Sequence, residues 1–262
     1  MTADALEKDP FRLRDGVGVA LDIGEQILYS EGEISRVEDT VTRISRAYGA
    51  TRVDVFVITT WIVISVADGN GNPITLSRRI YGNRKNLRRV EEMNALSRRL
   101  CADPVPPEEA KRLFREAMDR SAPKSWVRAV GALIVAFSFT AFFGGKIGDC
   151  LAALLVGAGV FGMEYLSERL SANRVLYNFN ASFIAGVLAI LTVFVGIGNS
   201  VDHIMFGVIM LLIPGAYLTG SIENLMVGDT LSGLMGIAEA IIKSLALAAG
   251  VALSLMLLGG RL

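Results

Sequence analysis

The chain has 262 residues, and its 26 basic and 26 acidic side chains cancel. This neutral balance excludes bulk electrostatic binding to nucleic acid as the main function. The charges are unevenly distributed, because residues 1–128 contain 40 of the 52 and residues 129–262 contain the other 12. The first part can therefore fold in water, whereas the second is apolar and long enough for about five or six membrane spans of roughly 20 residues each.

The N-terminal sequence MTADALEKDPFRLRDG is charged and has no apolar region of the kind found in signal peptides. We therefore expect the N-terminal part to stay in the cytosol. Cys101 and Cys150 lack metal-ligand spacing, and we expect both to be free thiols. The sequence predicts no metal site and no cofactor.

The first predicted elements are two helices. Residues 11–32 place apolar side chains at helical spacing, which predicts an amphipathic helix. Ser35 and Glu38 have the spacing of a capping box, so a second helix is expected to begin there and to stop at Gly49.

The pattern then changes from helix to strand and back. Residues 52–68 are rich in β-branched and aromatic side chains and predict two short strands, and residues 73–80 predict a third after a Gly-rich turn. Residues 86–102 and 107–121 return to helical spacing, with Pro107 suited to a first helical turn. Residues 1–122 are therefore predicted to form a cytosolic α+β domain.

Residues 123–262 are predicted to form a transmembrane helical domain. The second span is the weakest, because Asp149 and Glu164 lie at its ends. The candidate spans are 126–144, 147–166, 180–198, 203–221 and 234–258. The fold class is thus an α-helical polytopic membrane protein with about five transmembrane helices and an N-terminal α+β domain.

Basic residues predict the orientation of these spans. Lys124 and Arg128 precede the first span, and Arg169 and Arg174 separate the second from the third. Since short cytoplasmic loops are enriched in Lys and Arg, these positions are expected inside. The predicted location is the cell inner membrane. With five spans, the N-terminus lies on the cytoplasmic side and the C-terminus on the outer side.

The predicted fourth span contains a helix breaker. Pro214 and Gly215 interrupt an apolar run, and the ring of Pro214 excludes a hydrogen bond to the carbonyl of Met210. An unpaired carbonyl is costly in lipid, so broken helices occur mainly inside bundles or beside wet cavities. The break is therefore either a simple kink or part of a solute site, in which Thr219 and Ser221 would face the cavity.

Charged and polar residues follow the break. Glu223, Asn224 and Asp229 form either a solvated cytosolic turn or a site at the inner mouth of a pathway, and Asp229 can also cap the last helix. Glu239 and Lys243 are one helical turn apart in the order that favours an ion pair. They either face the protein interior on an ion or substrate route, or Lys243 extends to the inner surface.

The cytosolic domain carries the sequence GEISRVEDT, residues 32–40. Helix capping largely accounts for the presence of Glu38, and ion pairing on the helix surface largely accounts for the presence of Arg36 and Asp39. No nucleophile elbow, phosphate-binding glycine loop or zinc-protease motif is present, so enzymatic activity is not predicted.

Two stretches resemble the threonine/serine exporter family. Residues 32–66, GEISRVEDTVTRISRAYGATRVDVFVITTWIVISV, resemble its Gly-Glu turn, Arg-Val-Glu-Asp-Thr helix start and Val-Asp-Val-Phe-Val strand. Residues 209–234, IMLLIPGAYLTGSIENLMVGDTLSGL, resemble its Pro-Gly break and the Gly-Asp and Ser-Gly pairs that follow. The chain departs from the family pattern at Gly220, where the family often has Asn, and at Glu223-Asn224, where it often has Arg-Asp.

The resemblance implies ion-driven efflux of small carboxylate metabolites by alternating access. Long members of the family are associated with threonine and serine, and split members with dicarboxylates such as succinate. The chain resembles the larger subunit of a split exporter, which implies a short all-membrane partner with the second set of spans. A homo-oligomer is the other possible assembly.

The resemblance and the patterns together define the predicted site. The cytosolic motif residues are Glu33, Arg36, Glu38 and Asp39. The predicted solute-binding residues are Pro214, Gly215, Thr219, Ser221 and Asn224, and the candidates for ion coupling are Asp229, Glu239 and Lys243. The alternative function is a membrane receptor whose cytosolic domain senses a metabolite; a membrane-anchored hydrolase lacks a recognisable nucleophile and base.

Overall fold

The computed structural model describes residues 10–82, 86–121, 124–169 and 173–259. The chain divides into two compact units. The first contains Met1–Ala122 together with Gly220–Met235, and the second contains Pro123–Thr219 together with Gly236–Leu262. Residues 220–235, predicted as part of the transmembrane domain, thus belong to the same unit as the N-terminal residues.

The N-terminal part of the first unit is an α+β fold built on a three-stranded antiparallel sheet of order β1-β2-β3. The strands are β1 (Arg52–Ile58), β2 (Trp61–Ala67) and β3 (Pro73–Arg79), and the helices are α1 (Pro10–Tyr29), α2 (Ile34–Ala47), α3 (Leu87–Ala102) and α4 (Pro107–Arg120). The two predicted strands within residues 52–68 and the third after the turn are confirmed. The predicted helices are also present, with boundaries that differ from the predicted ones by at most three residues.

The core of this unit lies where the sheet meets α1 and α2. Alternate strand residues point to one face, because successive side chains of a strand point to opposite sides. Val57 and Ile62 are register partners on the inner face, and both are buried. They join Val17, Val41 and Ile44 from the helices in one apolar cluster. The helical and strand periodicities of the sequence therefore converge on one core.

The predicted capping box is wrong. Helix α2 begins at Ile34, one residue before Ser35, and its N-cap is Glu33, whose side chain makes no capping hydrogen bond. Ile34 is 3% exposed, so an earlier helix start buries an apolar side chain and leaves Ser35 on the surface. The other end agrees with the prediction, because Gly49 adopts φ +98° just after the helix.

The remaining helices are α5 (Ser125–Phe142), α6 (Ile147–Arg169), α7 (Arg174–Phe194), α8 (Val201–Ile209), α9 (Gly215–Met226) and α10 (Thr230–Leu258). In the described part of the chain, four helices are long and apolar enough to cross a membrane: α5, α6, α7 and α10. The predicted fourth span, residues 203–221, is not a single helix. It consists of α8, an irregular segment and the beginning of α9, because Pro214 cannot continue the helical hydrogen bonds.

Close contacts hold the membrane helices together. A side chain at Gly207 in α8 would collide with backbone atoms of Thr140 and Ala136 in α5, so the two helices approach through a glycine. Gly186 of α7 faces Ser254 of α10, and Ser182 of α7 faces Gly250 of α10. Later residues of one helix meet later residues of the other, so α7 and α10 run parallel.

The acidic residue that weakened the second predicted span is a buried structural group. Asp149 in the first turn of α6 is 0% exposed. One of its carboxylate oxygens accepts hydrogen bonds from the backbone N–H groups of Asn199 (2.5 Å) and Ser200 (2.9 Å), and the other accepts one from Lys146 (2.8 Å). Asp149 thereby fixes the chain just before α8 to the start of α6.

Candidate functional site

The break before α9 leaves backbone groups without helical partners. Helix α8 ends at Ile209, and α9 begins at Gly215 after one tight turn. The N–H of Ile213 bonds to the carbonyl of Ile209, and that of Gly215 bonds to the carbonyl of Ile213. Among the described residues, no backbone N–H bonds to the carbonyl of Met210. The loss of this bond at Pro214 agrees with the prediction.

Three polar side chains meet beside the break. The Lys243 ammonium lies 2.7 Å from a carboxylate oxygen of Glu239, one turn earlier in α10. The hydroxyl of Tyr217, in the first turn of α9, donates a 2.6 Å hydrogen bond to the other carboxylate oxygen. The Lys243 ammonium also lies 4.4 Å from the centre of the Tyr217 ring. We call Tyr217, Glu239 and Lys243 the α9–α10 triad.

The triad contains a buried charge near the middle of an apolar helix. The side chain of Lys243 is 9% exposed, whereas that of Glu239 is 40% exposed. A buried ammonium is costly unless it is paired, and both its counter-ion and the electron-rich ring face supply compensation. The structure thus shows the Glu239–Lys243 ion pair that the spacing predicted, with Lys243 buried. The charge of Arg174, at the start of α7, also acts on Glu239.

The predicted solute-binding residues occupy different environments. Pro214 and Gly215 lie at the break, three and two residues before Tyr217. The hydroxyl of Thr219 is exposed and bonds to the carbonyl of Gly215 in its own helix. Ser221 is buried, and Asn224 is half-buried, with its carbonyl accepting the N–H of Asp229. Ser221 and Asn224 belong to the first unit, whereas Pro214, Gly215 and Thr219 belong to the second.

Asp229, a predicted coupling residue, is separated in the fold from Glu239 and Lys243. It directly precedes α10, where the hydroxyl of Ser232 lies 3.4 Å from one of its carboxylate oxygens. It belongs to the first unit together with Glu38. Partial burial raises the pKa of Glu38, and the negative charge of Asp229 raises it further, while a hydrogen bond from the Val57 backbone lowers it. The structure therefore brings Glu38 and Asp229 within electrostatic range of each other.

Replacing Glu38 by Gln is expected to raise the melting temperature at neutral pH. The folded-state pKa of Glu38 is raised, so its ionised form opposes folding above that pKa, and this cost disappears as the pH falls below the unfolded value. Gln keeps an oxygen for the Val57 N–H. Thermal unfolding in detergent at several pH values should show a gain that shrinks toward acid pH. Glu223→Gln, on an exposed side chain, is the control; an equal gain for both variants would contradict the prediction.

The cytosolic motif residues do not form one site. Glu33 and Arg36 form a surface ion pair of 3.1 Å and line a cleft of about 320 Å³ between the start of α2 and α3. Asp39 instead pairs with Arg43, four residues later on the helix surface. The cleft is also lined by Glu31, Gly32, Leu87, Val90, Glu91, Asn94 and Arg98.

Tyr217 is the member of the α9–α10 triad that the sequence patterns did not indicate. It stands 22 positions before Glu239, and no periodic pattern relates residues of two different helices. Its place in the first turn after a helix breaker was the available signal. Nothing among the described residues gathers three or more His, Cys, Asp or Glu side chains into a metal-binding group.

Four long apolar helices and a paired charge within one of them define a multi-pass membrane protein. A family model described as "Putative threonine/serine exporter" matches residues 18–258. The chain belongs to this threonine/serine exporter family, as its two signature stretches indicated.

A relative from Mycobacterium tuberculosis, named "Probable threonine/serine exporter", is 22% identical over 249 residues. The match covers 94% of this chain and 47% of the relative, so the chain spans about half the length of that protein. No solved structure matches the chain significantly.

Proposed function

We propose that the chain is an inner-membrane exporter subunit for small carboxylate metabolites, either threonine and serine or dicarboxylates such as succinate. The observation that carries this proposal is the α9–α10 triad beside the helix break. An ion pair within a membrane helix supplies charged groups for a solute, and the break supplies a place where the backbone can change conformation. Membership of an exporter family supports the direction of transport.

The proposed mechanism is ion-driven alternating access. Since no helical hydrogen bond continues through Pro214, α9 can move relative to α8 at little cost in backbone bonding. A movement of α9 would carry Tyr217 with it and open or close the site around Glu239 and Lys243. Glu239 is the candidate for ion coupling, because its carboxylate is the more accessible member of the pair.

The parallel arrangement of α7 and α10 supports a fifth crossing. Two spans in the same direction require the chain to cross back between them, and residues 195–229 contain only α8, the break and α9. We infer that this segment makes the return crossing. With the positive-inside rule, the N-terminal domain then lies in the cytoplasm and the C-terminus outside.

A partner is part of the proposal. The chain matches about half of its longer relative, and a second set of spans can be supplied by a short all-membrane subunit or by another copy of this chain. The deciding experiment is counterflow of labelled succinate, threonine and serine in proteoliposomes, with and without the candidate short subunit. No counterflow in either case, with insertion verified, would overturn the proposal.

Pro214→Ala is expected to reduce counterflow at least about tenfold, since Ala restores an N–H for the Met210 carbonyl and removes the ring clash. Ser221→Ala tests the buried hydroxyl of α9 in the same assay. Pro104→Ala, in the loop between α3 and α4, is the matched control and should transport normally. Wild-type rates in stably inserted Pro214→Ala protein would show that the break is not part of the site.

The cleft beside α2 favours a second candidate function, a receptor whose cytosolic domain senses a metabolite. Its lining presents acidic groups and the guanidinium groups of Arg36 and Arg98, which suit a small zwitterion. Calorimetry on the full chain, wild type and Arg98→Ala, tests this function. Binding that Arg98→Ala abolishes, in the absence of counterflow, would favour the receptor over the exporter.

A further inference from the structure

We propose that Glu239 and Lys243 form a replaceable ion pair, in which Lys243 binds the carboxylate of the solute and Glu239 binds its ammonium group or, for a solute without one, a proton. This inference rests on the proposed function and specifies how its site recognises a solute. In the structure Lys243 and Glu239 are each other's partners, with the ammonium 2.7 Å from the carboxylate oxygen. A bound solute would replace each of these partners.

The net charge of the site must stay zero, and this requirement determines which groups can replace Glu239 and Lys243 as each other's partners. Lys243 is too deeply buried to lose its counter-ion without a substitute, because an unpaired charge in a low-dielectric interior is strongly unfavourable. A solute carboxylate is such a substitute. Once displaced, the Glu239 carboxylate needs a positive partner in turn. A zwitterionic amino acid brings its own ammonium group, whereas a simple carboxylate brings none.

Protonation balances the charge in the second case. One proton binds to a carboxylate oxygen of Glu239 while one solute carboxylate binds to Lys243, so the net charge of the site is unchanged. The proton leaves Glu239 when the solute departs and the ion pair forms again. For a monocarboxylate exported in this way, one proton leaves the cytoplasm together with the solute in each cycle.

Two further groups act on Glu239 and affect how easily it separates from Lys243. The hydroxyl of Tyr217 in α9 donates to one carboxylate oxygen, and the charge of Arg174 in α7 also acts on the carboxylate. Both groups are electrostatic partners of the Glu239 carboxylate. Movement of α9 at the break would withdraw the Tyr217 hydroxyl, which makes protonation or binding of an ammonium group easier at that moment.

Matched probes test this inference in the purified protein, together with its partner subunit if counterflow requires one. L-threonine carries both charges, 3-hydroxybutyrate lacks the ammonium group, and L-threoninol lacks the carboxylate. Affinities are measured by calorimetry between about pH 6 and pH 8, where the probes keep these charges. We expect 3-hydroxybutyrate to bind more tightly as the pH falls, by up to about tenfold per unit, because one proton is taken up. Threonine binding should not change with pH, and threoninol should not bind.

The second part of the experiment repeats the binding measurements on the variant Glu239→Gln. Gln resembles the protonated acid, so 3-hydroxybutyrate should bind this variant about tenfold or more tightly than wild type at pH 8 and without pH dependence. Threonine should bind it more weakly, since the ammonium group has lost its acceptor. Glu116→Gln, on an exposed side chain of α4, is the matched control and should behave as wild type.

Two outcomes would overturn the inference alone. One is pH-independent binding of 3-hydroxybutyrate to the wild-type protein, and the other is binding of threoninol as tight as that of threonine. Both can be read from the wild-type protein if Glu239→Gln fails to fold. Loss of counterflow for every solute would instead overturn the proposed function, so the two failures are distinguishable.

Discussion

Glu239→Gln is expected to destabilise the protein by about 3–5 kcal/mol, the usual cost of removing one partner of a buried ion pair. The cause is Lys243, whose side chain is 9% exposed and would lose its counter-ion. Thermal unfolding in detergent, without carboxylate buffers that could replace Glu239, measures the change. Lys146→Met removes an exposed charge and should change stability by less than about 0.5 kcal/mol.

The double variant Glu239→Gln/Lys243→Met separates charge from packing. It removes both charges and keeps side chains of similar length, so most of the stability lost in the single variant should return. Counterflow should not return, because neither charged group remains for a solute. Equal stability of Glu239→Gln and the wild type would show that the pair is exposed to water in the membrane-embedded protein.

Asp149→Ala is expected to cost at least about 3 kcal/mol, because three backbone N–H groups lose a charged acceptor at a buried site. Each such bond contributes about 1.5–3 kcal/mol when it involves a charged group, and the contributions are not additive. The start of α8 should then loosen from α6. Faster hydrogen exchange at Asn199 and Ser200 is the local measurement, and thermal unfolding is the global one.

Asp202→Ala is the matched control, since Asp202 also lies in the first turn of a membrane-unit helix but is exposed. Its interaction with the helix dipole predicts a loss of about 0.3–1 kcal/mol. Asp149→Asn keeps one acceptor oxygen and should fall between the two. Equal losses for Asp149→Ala and Asp202→Ala would show that the buried hydrogen bonds contribute little.

The sequence determined the elements whose cause is local. The change in periodicity from residues 11–49 to residues 52–80 predicted helices and then strands, because the two structures repeat at different intervals. Pro214 predicted the break, since a proline ring excludes the helical bond wherever it stands. The spacing of Glu239 and Lys243 predicted their pairing, because residues four apart share a helix face.

Only the tertiary structure decided which distant groups meet. The capping box failed because burial of Ile34 set the start of α2, and burial depends on the packed core. Asp149 looked like a defect in a span, yet it binds backbone groups 50 positions away. Tyr217 reaches Glu239 only because α9 packs beside α10. A linear pattern records spacing along one element, whereas contacts between elements depend on how all the helices pack, and those contacts form the proposed site.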